Sequence, residues 1–379
     1  MVTAPHPAPA SDRRHLHEVD LFRLLTFACV IAVHVLSAAT TIDDVASQGG
    51  QLLLHFTREA FFTLTGFVLT FQALRRPQRV LPFWRKRIPL VLVPYLAWAV
   101  AYTLLTVGTR PPGTPAPTVA QALAMTGWNA LEGTAWYHLY FLLVTLQLYL
   151  VFPALVAGLR RLSGAGHVVV LVGALVVQVV VSDLLVDPPP TAFGAFLAAH
   201  GYALLPAYLL YPVVGALAAL HLDQVQAAVL RWRWAIAGLV VVAVVVAEVL
   251  YVVTVDGGTA PAVAAAVFRP TTIAWFLVAV LGLYTLSLVT TAGWRPGGAP
   301  RRVLAYASDR SFGIFLAHPL VLAGLLSIAG GWVAAVGSGA TLAALYLGTV
   351  VGSVLLADVL RRLPVSAALT GRPWRAPHR

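Results

Sequence analysis

Ten apolar runs, each about as long as a bilayer is thick, dictate what this chain can fold into. A helix needs about 20 consecutive apolar residues to cross the hydrocarbon core. The runs fall at 20–40, 52–74, 88–108, 137–158, 167–186, 202–221, 234–255, 272–292, 312–330 and 335–360. Strands of a membrane barrel would be about half that length and would alternate in polarity, and these runs do not. The sequence therefore predicts an all-α, polytopic membrane bundle of about ten transmembrane helices. Composition agrees, since only 10% of the 379 residues are charged, against about 25% in a soluble protein.

The basic residues test the count independently. When both termini and the even-numbered loops are put on one side, that side holds 21 of the 25 Lys and Arg residues. The opposite side holds only Arg110 and Arg269, while Arg23 and Arg58 fall inside spans. Positive residues stay cytoplasmic, so both termini are expected in the cytoplasm. The loop 109–136, with its RPPGTPAPT stretch and a short helix expected from Val119 to Leu131, is expected outside. The net charge of +11 is thus a topology signal and not a nucleic-acid footprint. Arg13 and Arg14, with Ser37, Ala38 and Ala39 downstream, resemble a cleavable signal peptide, but Arg23 and His34 inside the run argue for an uncleaved first span. The expected organisation is a cytoplasmic segment 1–19, a transmembrane domain 20–360 and a basic cytoplasmic tail 361–379. The skew of 24 arginines to one lysine and one asparagine, with abundant Ala and Val, suggests a high-GC bacterial genome and hence a bacterial cytoplasmic (inner) membrane.

Ionisable groups inside spans are rare and mark functional cavities or buried pairs. Arg23 and His34 stand eleven residues apart in LFRLLTFACVIAVHVLSAAT. That spacing is three turns plus about 20°, so both share one helix face, roughly 16 Å apart along the axis. Arg23 then sits at the cytoplasmic end and His34 in the outer half. Glu59 in the second span and Glu248 in the seventh reach the same level as His34. Arg58 adjoins Glu59 in sequence but lies about 100° away around the helix. A histidine beside a carboxylate suits a general base, and a buried ion pair that orders helices is the alternative. The cost of placing an imidazole in lipid favours function for His34, leaves Glu59 balanced and favours a structural or cavity-facing role for Glu248.

Other polar positions are weaker signals. His138 opens the fourth span among belt-forming Tyr and Trp residues. Gln147 is nine residues on, about 180° away, so the two do not form one site. His318 lies in the inner half of the ninth predicted span, next to Pro319. Ser37, Thr63 and Thr65 suit helix-packing hydroxyls. The second loop, RRPQRVLPFWRKR, carries six positive charges, more than orientation needs, and suits an anionic headgroup or the phosphates of a cytosolic cofactor. A single Cys29 excludes an internal disulfide and a Cys-built metal cage. There is no Walker loop, no GxGxxG in a βαβ setting and no HExxH motif, so no metal is expected.

Five stretches resemble the membrane acyltransferase-3 family, whose members O-acylate sugars and other hydroxyl compounds. These are VDLFRLLTFACVIAVH, FFTLTGFVLT (with Thr65 where a serine is usual), FWRKRIPLVLVPYLAW, WYHLYFLLVTLQLYLVFP and SFGIFLAHPLVL. The last two look most like the branch that includes poly-N-acetylglucosamine succinyltransferases. Many members carry a second arginine three residues after the first at the start of the third span, where this chain has Leu90. The resemblance implies transfer of an acyl group, acetyl or similar, from acyl-CoA to a hydroxyl of a carbohydrate or glycosylated small molecule. In that reading His34, Glu59 and Arg58 are catalytic; Arg23, Arg85, Lys86 and Arg87 hold the CoA phosphates; and His138, Glu248 and His318 contact substrate. The expected partners are membrane lipid and the acceptor, with no nucleic acid. The rival readings are a proton-coupled transporter or lipid-linked glycan flippase, in which His34, Glu59 and Glu248 relay protons, and a non-catalytic sensor or scaffold.

Overall fold

In the computed structural model, which describes residues 15–329 and 338–374, the apolar runs become helices. In chain order these are α1 (His17–Ala39), α2 (Val45–Leu54), α3 (Thr57–Arg75), α4 (Val80–Gly108), α5 (Val119–Glu132), α6 (Tyr140–Leu159), α7 (Gly164–Val186) and α8 (Ala192–His200). They continue as α9 (Leu210–Leu220), α10 (Leu222–Asp256), α11 (Pro261–Ala264), α12 (Thr272–Ala292), α13 (Ala299–Ala329), α14 (Ser338–Leu360) and α15 (Ser366–Thr370). Arg13, Arg14, Arg375, Arg379 and the junction of the last two predicted spans lie outside the described residues. Among the described residues, nine segments are long and apolar enough to cross a membrane, with α2 and α3 joined as one. The chain is a multi-pass helical membrane protein. The exposed Val and Leu rows of α7, α10 and α14 are the faces such a bundle turns to lipid.

The sixth predicted span departs from a plain helix. Only α9 is α-helical there, and two 3-10 turns, Gly201–Ala203 and Leu205–Tyr208, precede it. Irregular backbone at membrane depth persists only where protein groups satisfy it. Two glutamines do so. Gln147 on α6 donates to the Ala203 carbonyl at 2.7 Å and accepts from the Leu205 N–H at 3.0 Å. Gln178 on α7 donates to the Ala207 carbonyl at 2.7 Å. Both glutamines thus bracket backbone that Gly201 and Pro206 keep out of an α-helix.

The α9 segment then lies backbone to backbone against α3. A Cβ on Gly66 would stand 2.1 Å from the Pro212 oxygen, and one on Gly215 would stand 1.8 Å from the Thr63 oxygen. Small residues that let backbones meet are the main device of helix association in lipid. The nearby hydroxyls close onto their own helix, with Thr63 donating to the Glu59 carbonyl and Thr65 to the Phe61 carbonyl, each at 2.8 Å.

Several helices exceed the apolar runs that announced them. The α10 helix has 35 residues, roughly 52 Å at 1.5 Å per residue, so it projects beyond the hydrocarbon core. The α13 helix starts at Ala299, well ahead of residue 312, where the apolar run begins. The short helix expected in the long loop is α5, opened by a capping box of Thr118 and Gln121 and closed by Gly133 in the left-handed region at φ 77°. After α14 the chain folds back, and α15 rests on α4, where Trp98 Nε1 donates to the Leu369 carbonyl at 2.9 Å.

Gly66→Ala should drive α3 from α9 and destabilise the protein by about 3 kcal/mol or more. Gly127→Ala on α5, where a Cβ meets nothing within 4 Å, should leave stability unchanged or slightly raised. Thermal unfolding in detergent compares them, and equal midpoints for G66A and the parent would contradict the close contact.

Candidate active site

Three histidine rings from separate elements meet at the His34 end of α1. His34 comes from α1, His138 from the turn before α6 and His318 from α13. The His34 and His318 ring centroids stack at 5.2 Å, and His138 meets His318 at 5.4 Å. Tyr137 covers His34 at 4.5 Å, and Phe315 lies 5.1 Å from His138. His138 and His318 are buried, whereas His34 is half-buried. The inner-half placement expected for His318 is corrected here. The early start of α13 carries that residue up to the level of His34.

The local sequence fixes the protonation pattern of His318. Pro319 has no N–H, and its ring disrupts the helix bond normally accepted by the carbonyl four residues earlier, that of Phe315. His318 Nδ1 lies 2.7 Å from that freed carbonyl. A carbonyl only accepts, so Nδ1 carries the proton and Nε2 presents its lone pair. Nε2 is buried and has no partner among the described residues; the same holds for both ring nitrogens of His138. No group of three His, Cys, Asp or Glu side chains among the described residues is arranged to hold a metal ion.

Glu59 and Arg58 form their own centre. The 100° offset would point them apart, but the long arginine reaches back, and Arg58 Nη2 lies 3.0 Å from Glu59 Oε1. The guanidinium sits over Phe268 and Tyr208, 5.1 and 5.7 Å from their centroids, with Tyr140 Oη at 3.5 Å from Nη1. The expected contact of Glu59 with His34 is not made; its partner is Arg58. His55, at the end of α2, is in electrostatic reach of both His34 and Arg58, and it escaped the sequence reading because it lies at a helix joint. Glu248 stands apart from the histidines, in the joint of α10 and α2. A Cβ on Gly49 would be 2.9 Å from Glu248 Oε2, and Tyr251 one turn on donates to the Val45 carbonyl at 2.8 Å.

At the Arg23 end of α1 a cleft of about 1090 Å³ opens between α1, α3, α4 and α6. Arg23, Lys86 and Arg87 line it, joined by Arg75, Arg76, Arg79 and Arg160, with Asp20 as its carboxylate. Arg85 does not line it. Arg75, Arg76 and Arg79 belong to the basic loop already expected to suit an anionic group, but their convergence with Arg23 and Arg160 needs the turn from α3 into α4. Arg23 Nη1 donates to Asp20 Oδ1 and Ser308 Oγ, each at 3.1 Å, and Ser308 in turn donates to Asp20 at 2.9 Å. Arg87 is braced by Gln72.

An aromatic cluster separates the two polar ends. Phe27 lies on the same face of α1 as Arg23 and His34 and between them. Its ring meets Phe61 at 4.5 Å and Phe315 at 5.9 Å, and Phe141 joins Phe61 and Phe315 at 5.7 and 5.6 Å.

The family model Acyl_transf_3, described as an acyltransferase domain, matches residues 16–358. The chain belongs to this acyltransferase-3 family and is a membrane O-acyltransferase. No curated protein and no solved structure matches it.

Pro319→Ala should restore a helix bond to Phe315 and release His318 Nδ1. The variant should melt no lower than the parent, since proline is the poorest interior helix residue. Its acyl transfer should fall about tenfold or more, within the range general acid–base groups supply. Undiminished turnover of P319A would contradict a role for the His318 tautomer.

Proposed function

We propose that this membrane acyltransferase moves an acyl group, acetyl or similar, from a cytosolic acyl-CoA to a hydroxyl of a carbohydrate or glycosylated acceptor at the bacterial inner membrane. One observation carries the reading. A basic cleft and a histidine cluster occupy opposite ends of the same stripe of α1, with Arg23 at one end and His34 at the other. The CoA phosphates suit the cleft, where Arg23, Lys86 and Arg87 offer charge-assisted hydrogen bonds. The pantetheine arm then runs along α1 towards His34, and the rings of Phe27, Phe61 and Phe315 part to admit it.

His34 takes the proton of the acceptor hydroxyl as its oxygen attacks the thioester carbonyl. The new C–O bond forms, the C–S bond breaks, and the imidazolium returns the proton to the departing thiolate, which leaves as free CoA. His318 and His138 flank His34; His318 Nε2 can accept from an acceptor hydroxyl, and a neutral His138 ring can offer one N–H donor and one acceptor nitrogen. Arg58 provides the cation that steadies the developing oxyanion, and Glu59 holds Arg58 in place instead of orienting His34. Glu248 steadies the α2–α10 joint beside the site. The reaction amounts to O-acetylation or a close variant, and modification of a polysaccharide is the reading that the carbohydrate acceptor favours.

His34→Ala in liposomes supplied with labelled acetyl-CoA and extracted cell-envelope glycans should lose transfer by about 10²- to 10⁴-fold with an unchanged melting midpoint. Full labelling by H34A would overturn the mechanism, and pH-driven solute movement without any labelling would make the protein a carrier instead.

A further inference from the structure

We infer that the C-terminal hook brings Arg372 to the donor cleft as a further phosphate-binding cation, an inference that rests on the acyl-CoA reading above. The hook is built, not trailing. Ser366 and Thr370 in α15 are buried. Trp98 on α4 donates to the Leu369 carbonyl at 2.9 Å, and Ser366 Oγ donates to the carbonyl of Arg372 itself at 3.0 Å. Gly371 adopts φ +65°, where L side chains are strained, and a Cβ there would stand 2.7 Å from the Phe312 ring and 3.3 Å from the Leu90 oxygen. Only glycine lets the backbone pass between α4 and α13 at this point. The backbone that leads into Arg372 is therefore held beside Leu90, one turn from Arg87 in the cleft wall.

The Arg372 guanidinium stands near the Arg23 flank of the cleft: Arg372 Nε lies 3.9 Å from Asp309 Oδ1, and Ser308, the residue before Asp309, accepts from Arg23 Nη1 at 3.1 Å. Asp309 is committed elsewhere. Its Oδ2 lies 3.1 Å from Arg361 Nη1, while its Oδ1 is 3.9 Å from Arg372 Nε. Arg372 is half exposed and only loosely countered, because it shares the Asp309 carboxylate with Arg361 and Arg310; a bound anion relieves such crowding of like charge. The hook lies beyond residue 358, where the family match ends.

Binding of acetyl-CoA to the full-length protein in nanodiscs tests this. R372Q should weaken binding about three- to tenfold, the effect of a half-exposed charge-assisted contact, and raised salt should shrink the difference. R372K should recover most of the loss, and R362Q, an equal loss of charge from the same segment, should bind as the parent does. Acetyl-pantetheine, which lacks phosphate, should bind R372Q and the parent alike. Unchanged acetyl-CoA binding by R372Q alongside weakened binding by R23Q would overturn the role of Arg372 and leave the donor cleft standing. Unchanged binding by R23Q as well would overturn the donor reading and this inference with it. Equal weakening towards acetyl-pantetheine would reduce the hook to a structural brace.

Discussion

Inside a bilayer no water is at hand to satisfy a polar group, so one left without a partner in the protein is costly. Much of this structure follows from that constraint. It makes the runs helical, and it makes the irregular stretch 201–209 depend on Gln147 and Gln178. It also explains the His-Pro pair of α13. A proline alone would strand the Phe315 carbonyl, and a histidine alone would be free in either tautomer. Together, the carbonyl gains a donor and the ring a defined lone pair. Arg58 and Glu59 obey the same rule by pairing with each other.

The same constraint divides the molecule into two polar compartments. The lower one is basic, open and spacious; the upper one is built of imidazole and aromatic rings and one ion pair. Between them the Phe27, Phe61, Phe315 and Phe141 rings form a dry partition. Phe315 belongs to both the partition and the upper site, since it touches Phe27 on one side and His138 and His318 on the other. In the proposed reaction, movement of that one ring would couple passage of the donor through the partition to the histidines, and a thioester held on the Arg23 side of the partition would stay away from the attacking hydroxyl.

Much of this was legible in the sequence because membrane insertion leaves coarse signals. Run length announced the spans, and the one-sided basic loops agreed with their number. The eleven-residue spacing of Arg23 and His34 gave the axis. What escaped has particular physical causes. Apolarity cannot separate a helix from backbone bracketed by glutamines, so the sixth span looked ordinary. Helices run past their apolar segments into the headgroup region, so α13 began earlier than its run and His318 stood higher than expected. Side-chain reach overrides helical angle for a residue as long as arginine, so Arg58 and Glu59 looked separate. Convergence of distant segments has no local signature at all, which is why His138 looked like a belt residue and why His55, Arg160 and Arg372 drew no attention.

The central claim is that one donor molecule spans the two compartments along α1. A cryo-electron-microscopy structure of the protein in nanodiscs with a non-reactive acyl-CoA analogue tests it most directly. The account predicts phosphate density between Arg23, Lys86 and Arg87, the acyl carbonyl beside His34, and the Phe27 ring turned aside. Phosphate density away from the basic cleft, or an acyl end that stops below an unmoved Phe27, would contradict it.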